Sequence, residues 1–228
     1  MSIVWEVVDA GKCPAQHNMD EDARFLGEMQ ARPQHVLRFY DWEHPSLTYG
    51  HFVKPEELLN LNEAERLGVQ IARRPTGGGV ISHFTDFTFS LLVPKDSPYY
   101  TIDTLKNYCF VNQKIKEALQ SVTKDSLVLL ESSEVGSGAL ERFCMAKPTV
   151  LDVMCGSLKV SGGAQRRTRH GFLHQGTISL ATPNWEWLYR IIRSKEVVDQ
   201  MQLRSHYLQG VSRVELKQAI QNALYSVN

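Results

Sequence analysis

The stretch Arg73-Arg74-Pro75-Thr76-Gly77-Gly78-Gly79-Val80-Ile81-Ser82-His83 constrains this chain more than any other. Three successive glycines stand between two strand-like runs. One is Val69–Arg74; the other passes through Phe87, Phe89, Leu91 and Val93 and stops at Pro94. A glycine run carries no side chains to pack. It reads as a loop that lets a backbone come close to a ligand and turns its amides into a concavity. Arg73 and Arg74 beside it are suited to a phosphate or a carboxylate. No Gly-Lys-Ser/Thr follows, and no GxGxxG opens a helix, so neither common nucleotide-phosphate loop is present. A bare glycine run is equally a hairpin turn with solvated arginines, but the arginine pair before it and the apolar strand carrying His83 after it favour the ligand loop.

The rest of the pattern mixes strands and helices without a β-α-β rhythm. Ile3–Asp9 and His35–Trp42 are strand-like, the latter with Val36, Arg38 and Tyr40 alternating against Leu37, Phe39 and Asp41. Asn18 with Glu21 predicts a helix start, running to about Pro33. Pro55 predicts another, and Asn62 with Glu65 a further cap. Asp103–Val122 is the clearest amphipathic helix, with Leu105, Tyr108, Ile115, Leu119 and Val122 near helical spacing. A loop is expected over Ser132–Ala139, and strands over Thr149–Met154, Leu158–Ser161 and Leu173–Leu180. The chain then ends in helix, with a Ser212/Glu215 capping box. The fold class expected is α+β, a mixed sheet covered by helices.

Composition narrows the function classes. Across 228 residues, 25 Lys+Arg balance 25 Asp+Glu, which excludes a broadly basic nucleic-acid binder and an acidic disordered chain. The first residues have neither a basic region nor an apolar core of signal-peptide type, and no run approaches the ~20 apolar residues of a membrane span. The four cysteines, Cys13, Cys109, Cys144 and Cys155, form no CxxC pair and no zinc-like spacing. The expectation is a cytoplasmic protein with reduced thiols, no metal, no membrane and no nucleic acid.

Four further features carry chemistry. In Gly156-Ser157-Leu158-Lys159-Val160-Ser161-Gly162-Gly163-Ala164-Gln165, a lysine lies in a strand-like run among small residues. It either reaches into a cleft between close-packed backbones or, on an edge strand, points to water. In Gly171-Phe172-Leu173-His174-Gln175-Gly176-Thr177-Ile178, His174 lies four residues from His170, but the β-rich run argues against a shared metal. Arg166, Arg167, Arg169 and His170 form the one dense basic cluster, read as a turn: solvated, or a dock for an acidic partner. Cys144, close to Lys147 and fifteen residues before Lys159, is either a nucleophile or a small buried hydrophobe. Cys109 reads as buried.

Taken together, RRPTGGG with its following His, a loop Cys, LKVSGGAQ and LHQGTI resemble the lipoate–protein ligase and octanoyltransferase family, related to the biotin–protein ligases. Asn18-Met19-Asp20-Glu21 and Arg38-Phe39-Tyr40-Asp41-Trp42 with Pro45 and Gly50 share the likeness. The resemblance implies a mixed, largely antiparallel sheet flanked by helices, with residues 1–228 as one catalytic domain and no C-terminal accessory domain. It implies a medium-chain acyl substrate, octanoyl or lipoyl, and an amide product on one lysine of a lipoyl carrier domain.

Two chemistries share this fold. A ligase activates free lipoate with ATP and Mg²⁺ through lipoyl-AMP. A transferase takes octanoyl from acyl carrier protein without a nucleotide. Three features favour the cysteine-dependent octanoyltransferases. Cys144-Met145-Ala146-Lys147-Pro148 fits their nucleophile segment, with Met145 departing from the usual Phe. His83-Phe84-Thr85-Asp86-Phe87-Thr88-Phe89-Ser90 resembles their His-x-x-Glu-x-Thr-x-Ser, and the chain stops near the end of the catalytic domain. Gly79 departs toward the ligases, since many such transferases carry Arg there.

The resemblance implies Cys144 and Lys159 as catalytic. It implies Arg73, Arg74, Thr76, Gly77, Gly78, Gly79, His83, Ser161, Gly162, Ala164, His174 and Gly176 as substrate-binding. The expected partners are acyl carrier protein as donor, and lipoyl domains of 2-oxoacid dehydrogenase subunits or the glycine cleavage H protein as acceptors. The ligase, an amidotransferase moving lipoyl between carrier domains, and a non-catalytic ligand-binding member are the other readings.

Overall fold

The structure, a computed structural model, describes residues 3–132 and 138–226. Its frame is a seven-stranded sheet. In chain order the strands are β1 (Trp5–Cys13), β2 (His35–Trp42), β6 (Asp86–Pro94), β7 (Leu127–Leu129), β8 (Val153–Cys155), β9 (Leu158–Thr168) and β10 (Gly171–Ser179). The spatial order is β1-β2-β6-β10-β9-β8-β7, antiparallel throughout except for the β1/β2 pair. A second, three-stranded sheet runs β4-β3-β5, from β3 (Ser46–Tyr49), β4 (Gln70–Arg73) and β5 (Val80–His83). The helices are α1 (Ala15–Glu28), α2 (Pro55–Leu58), α3 (Leu61–Arg66), α4 (Thr104–Val122), α5 (Trp185–Ile191), α6 (Lys195–Arg204) and α7 (Arg213–Tyr225). No helix among the described residues is long and apolar enough to cross a membrane. The α+β reading therefore holds.

Side-chain alternation divides the large sheet into two faces. Leu37, Phe39, Phe87, Phe89 and Leu91 meet Val111, Ile115 and Leu119 of α4 and Leu216, Ile220 and Leu224 of α7. On the other face Val36, Leu92 and Leu173 meet Leu26 of α1 and Met29 just after it. The same face carries a buried polar knot. Asp22 of α1 accepts hydrogen bonds from Arg38, Tyr40, Ser90 and Gln175, which fixes α1 across β2, β6 and β10. A third apolar cluster joins Leu47, Val80 and Phe143 to Leu188, Ile191, Val197 and Met201, and so seats the small sheet against α5 and α6.

Several local expectations are corrected. Asn18 does not cap α1; it is fully buried within the helix, and its amide donates to the Asp41 carbonyl at 3.0 Å. Asn60, not Asn62, caps α3 by accepting from Glu63 N. In α4 Asp103 is the cap, but the buried face runs through Asn107, Val111, Ile115, Ala118 and Leu119, leaving Leu105 and Cys109 exposed. The strand at Leu158 continues to Thr168, so Arg166 and Arg167 are strand residues and only Arg169 and His170 form the turn. Of the expected loop, 133–137 lie outside the described residues, while Gly138–Arg142 form a 3-10 turn. The Ser212/Glu215 capping box is present as expected.

Candidate functional site

The glycine block leaves β4 and feeds β5, and Arg74 organises it from behind. Its guanidinium is buried and donates to Thr48 O and Oγ1 and to the carbonyls of Gly77 and Gly79, all at 2.8–3.1 Å. Burial depresses its pKa, and a negative charge at Cys144 would offset that. No carboxylate pairs with Arg74 among the described residues. The arginine expected to hold a ligand is thus mostly engaged in shaping the loop.

Backbone closes on the loop from both sides. A Cβ on Gly50 would lie 2.0 Å from Gly78 O, and one on Gly79 would lie 2.1 Å from Arg142 O. Gly78 itself sits at φ +87°, in the left-handed region that favours glycine. Thr76 ties the loop to the large sheet by donating to Gln175 Oε1 at 2.7 Å, and Gln175 continues to Asp22.

Docking of the 3-10 turn against Gly79 delivers Cys144 to the loop. Cys144 N donates to Val80 O at 3.2 Å, and the residue is half-buried. A Cβ placed on Gly78 would lie 3.8 Å from Cys144 Sγ, 3.9 Å from Ala164 Cβ and 3.4 Å from Arg74 Nη2. The thiol, the glycine loop, Ala164 of β9 and the Arg74 cation therefore surround one point.

Lys159 comes to the same place from β9. This strand lies between β8 and β10, so Lys159 is not an edge lysine pointing to water; it is buried. Its ammonium donates to Cys144 O at 2.9 Å and pairs with Asp152 Oδ2 at 2.7 Å. The Thr149–Asp152 turn holds Asp152 in place. Thr149 N and Oγ1 donate to Asp152 Oδ2, and Leu151 adopts φ +72°, a costly conformation for a branched residue at a site that needs it. Gly162 provides room for the pair, since a Cβ there would lie 2.5 Å from Asp152 Oδ1 and 2.6 Å from Lys159 Nζ.

The remaining predicted residues divide by position. His83 is buried behind the loop, stacked on Trp42, with Nδ1 2.7 Å from Asp86 Oδ2 and Nε2 2.8 Å from Thr48 Oγ1. Burial raises the Asp86 pKa, but the His83 charge and hydrogen bonds from His83, Thr177 and Thr88 outweigh it and leave it lowered. His174 packs over Gly163, where a Cβ would lie 2.2 Å from its Nε2. Its ring Nδ1 accepts from Gln165 Nε2, and burial pushes its pKa down to about 3. Ser161 and Gly176 are buried in β9 and β10, with Gly176 against the Phe89 ring. Arg73 stands outside on the surface beside His51.

Thr48, Asp152 and Tyr108 were not singled out in the sequence. Tyr108 accepts from Gln165 N at 2.7 Å, and burial pushes its phenol up to about 12. Asp152 had a readable signal: it precedes a strand lysine by seven residues across a tight β8/β9 hairpin. Thr48, in a four-residue strand, had none.

A thiol beside a glycine loop, its main chain held by a buried ammonium, on a mixed sheet flanked by helices, makes up the candidate site. The chain belongs to the lipoyl protein ligase A/B catalytic domain family, whose model matches residues 14–224. It is 29% identical over 182 residues to octanoyltransferase LipM of Geobacillus kaustophilus, covering 78% of this chain and 66% of that protein. It is 26% identical over 218 residues to octanoyltransferase LipM of Moorella thermoacetica, covering 93% and 78%. Its fold matches a bi-partite lipoate protein ligase from Thermoplasma acidophilum, described with its E2 lipoyl domain, at TM-score 0.73 and 18% identity, covering 97% and 82%. The chain thus spans just under two thirds of the length of the first of these relatives.

Proposed function

We propose that this chain is an octanoyltransferase: it moves an octanoyl group from an acyl carrier thioester to a lipoyl-domain lysine through a Cys144 acyl-enzyme, with residues 1–228 acting as one catalytic unit. The convergence of Cys144, Gly78, Ala164 and Lys159 carries this reading, and the LipM relatives agree with it. Cys144 Sγ attacks the thioester carbonyl; the carrier thiolate leaves and takes up a proton, and octanoyl-Cys144 remains. The acceptor amine then attacks that carbonyl, the amide forms, and Cys144 regains its thiol. Arg74 supplies positive charge beside Gly78 and the Cys144 thiol, where the thioester oxyanion develops, and Lys159 holds the Cys144 main chain through its carbonyl. Thioester exchange is close to isoenergetic and amide formation is downhill, so no nucleotide is needed.

A groove of about 420 Å³ opens beside Gly78 and Gly79, lined by Phe52, Val53, Lys54, Glu57, Glu141 and Arg142. Phe52 is 90% exposed there, an apolar contact suited to an acyl chain or its carrier. Arg73, at the end of β4, and Arg166, which reaches Pro75 O, are exposed beside the loop, as are Arg167 and Arg169 further along the β9/β10 hairpin, and none of the four pairs with a carboxylate among the described residues. That rim suits the acidic surface of an acyl carrier protein or a lipoyl domain.

The ATP-dependent ligase is the second reading, with Gly79 in its favour. Arg142 O at 2.1 Å from a Cβ there accounts for that glycine without a nucleotide. Incubation with octanoyl carrier protein and a lipoyl domain, without ATP, tests the proposal. Octanoylated domain supports it; product that forms only with free lipoate, ATP and Mg²⁺ selects the ligase.

A further inference from the structure

Asp125, Cys155 and His206 come together next to the strand that carries Lys159. One carboxylate oxygen, the sulfur and one ring nitrogen all lie within 4.8 Å of one another, and all three residues are half-buried. They arrive from separate segments. Asp125 lies in the turn between α4 and β7, Cys155 ends β8, and His206 follows α6. His206 Nε2 and Asp125 Oδ2 are 2.8 Å apart and share a proton. Asp125 and His206 line a groove of about 630 Å³, so a fourth position beside them is open to water. Neither Cys144 nor the glycine loop takes part.

We propose that Asp125, Cys155 and His206 bind a thiophilic divalent cation, with Zn²⁺ the ion whose preferences they match. One thiolate, one imidazole and one carboxylate with an open fourth position suit tetrahedral Zn²⁺, whereas Mg²⁺ and Ca²⁺ require oxygen ligands. Metal–ligand bonds of about 2.0–2.3 Å place tetrahedral ligand atoms roughly 3.3–3.8 Å apart. The cluster reaches that spacing by closing its longer separations and opening the His206–Asp125 pair by less than about 1 Å. Binding displaces the Cys155 thiol proton and the proton between His206 and Asp125, so affinity rises with pH. Lys124 and Tyr207 also line the groove, and the Lys124 charge works against the ion.

The position gives the ion a consequence. His206 N donates to Lys159 O at 2.8 Å, and Ser205 bridges Lys159. Cys155 pairs with Leu158 in the β8/β9 hairpin. A metal joining Cys155 to His206 braces that hairpin from both sides and steadies the backbone from which Lys159 projects.

The test is a titration of the metal-stripped full chain with Co²⁺ as a spectroscopic stand-in, followed by Zn²⁺ competition. The expected result is one equivalent bound, with a thiolate-to-cobalt absorption band that Zn²⁺ abolishes. The band persists in Cys144→Ser and disappears in Cys155→Ser; it weakens in His206→Gln and Asp125→Asn, with circular dichroism reporting that each variant is folded. Zn²⁺ also raises the melting temperature of the wild type and not of Cys155→Ser. A folded wild type without the band overturns the proposal, as does a band that survives Cys155→Ser or vanishes in Cys144→Ser.

Discussion

Lys159 Nζ lies 2.7 Å from Asp152 Oδ2, and both side chains are buried to within a few per cent. The ammonium that donates to Cys144 O is therefore held by a counter-ion and does not act as a free charge. Two buried ions out of water are tolerable only as a pair, so removing one is costly. Asp152→Ala is expected to destabilise the fold by about 3–5 kcal/mol and to abolish transfer. The double variant Asp152→Leu/Lys159→Met removes both charges and recovers much of the melting temperature while staying inactive. Denaturant melts beside a transfer assay check this; a double variant no more stable than Asp152→Ala contradicts it.

Gly162 sits beneath that pair. Gly162→Ala drives a methyl into Asp152 Oδ1 and Lys159 Nζ, at 2.5 and 2.6 Å. Displacing the ammonium from Cys144 O shifts the segment that holds the nucleophile and is expected to lower kcat by about 10²-fold, the usual cost of misplacing a reacting group. KM for the carrier protein should change little, because the carrier surface is elsewhere. An unaltered kcat would remove Lys159 from the chemistry.

Arg74 makes four bonds with one planar group, to Thr48 O and Oγ1 and to two loop carbonyls. A lysine ammonium is a point charge without that fork. Arg74→Lys is expected to leave loop carbonyls unpaired at about 1–3 kcal/mol each and to slow acylation of Cys144 more than it lowers stability. Single-turnover acylation rates and thermal melts report the two effects separately.

His174 sets an acid limit on stability. Its folded pKa, near 3, is depressed below 6.5 by burial, so between those values the unfolded chain binds more protons than the folded one. Stability therefore falls as pH drops from about 6.5 toward 3. Asp86 adds to this lower down: its depressed pKa gives stability above its ordinary 3.8 that is lost as pH falls through the folded value. His174→Gln is expected to flatten the upper part of that slope, measured as unfolding free energy against pH. An unchanged slope places the titration elsewhere.

Arg166 projects from β9 to the loop, reaching Pro75 O at 3.2 Å, and Arg167 follows it on the strand's other face. Reversal of both to Glu is expected to raise KM for an acidic carrier at low salt. The difference should shrink as ionic strength approaches about 1 M, where the screening length is about 3 Å. A salt-independent difference would mean that the substitutions act through the fold.

The legible parts of this molecule are those where function and local geometry use the same residues. Gly77–Gly79 and Lys159 stand out in one dimension because a close backbone approach and a lysine among small residues are unusual there. The alternation in β2 and β6 matches their two buried faces for the same reason. Thr48 and Tyr108 are not legible because each acts on a residue from another segment: Thr48 reaches Arg74 from 26 positions away, Tyr108 reaches Gln165 from 57, whereas Asp152 is only seven residues from Lys159 across one hairpin. Asn18 reads as a cap by type, but its partner is Asp41, 23 residues on. Tertiary demand overrode local propensity there.

Cys144 is the residue on which the proposed reaction turns. Intact-mass spectrometry after mixing the chain with octanoyl carrier protein, without ATP, measures it in one step, beside Cys144→Ala. The expected result is an added octanoyl group on the wild type, released by a lipoyl domain, and none on the variant. No adduct on the wild type, or an adduct that persists in Cys144→Ala, would contradict it.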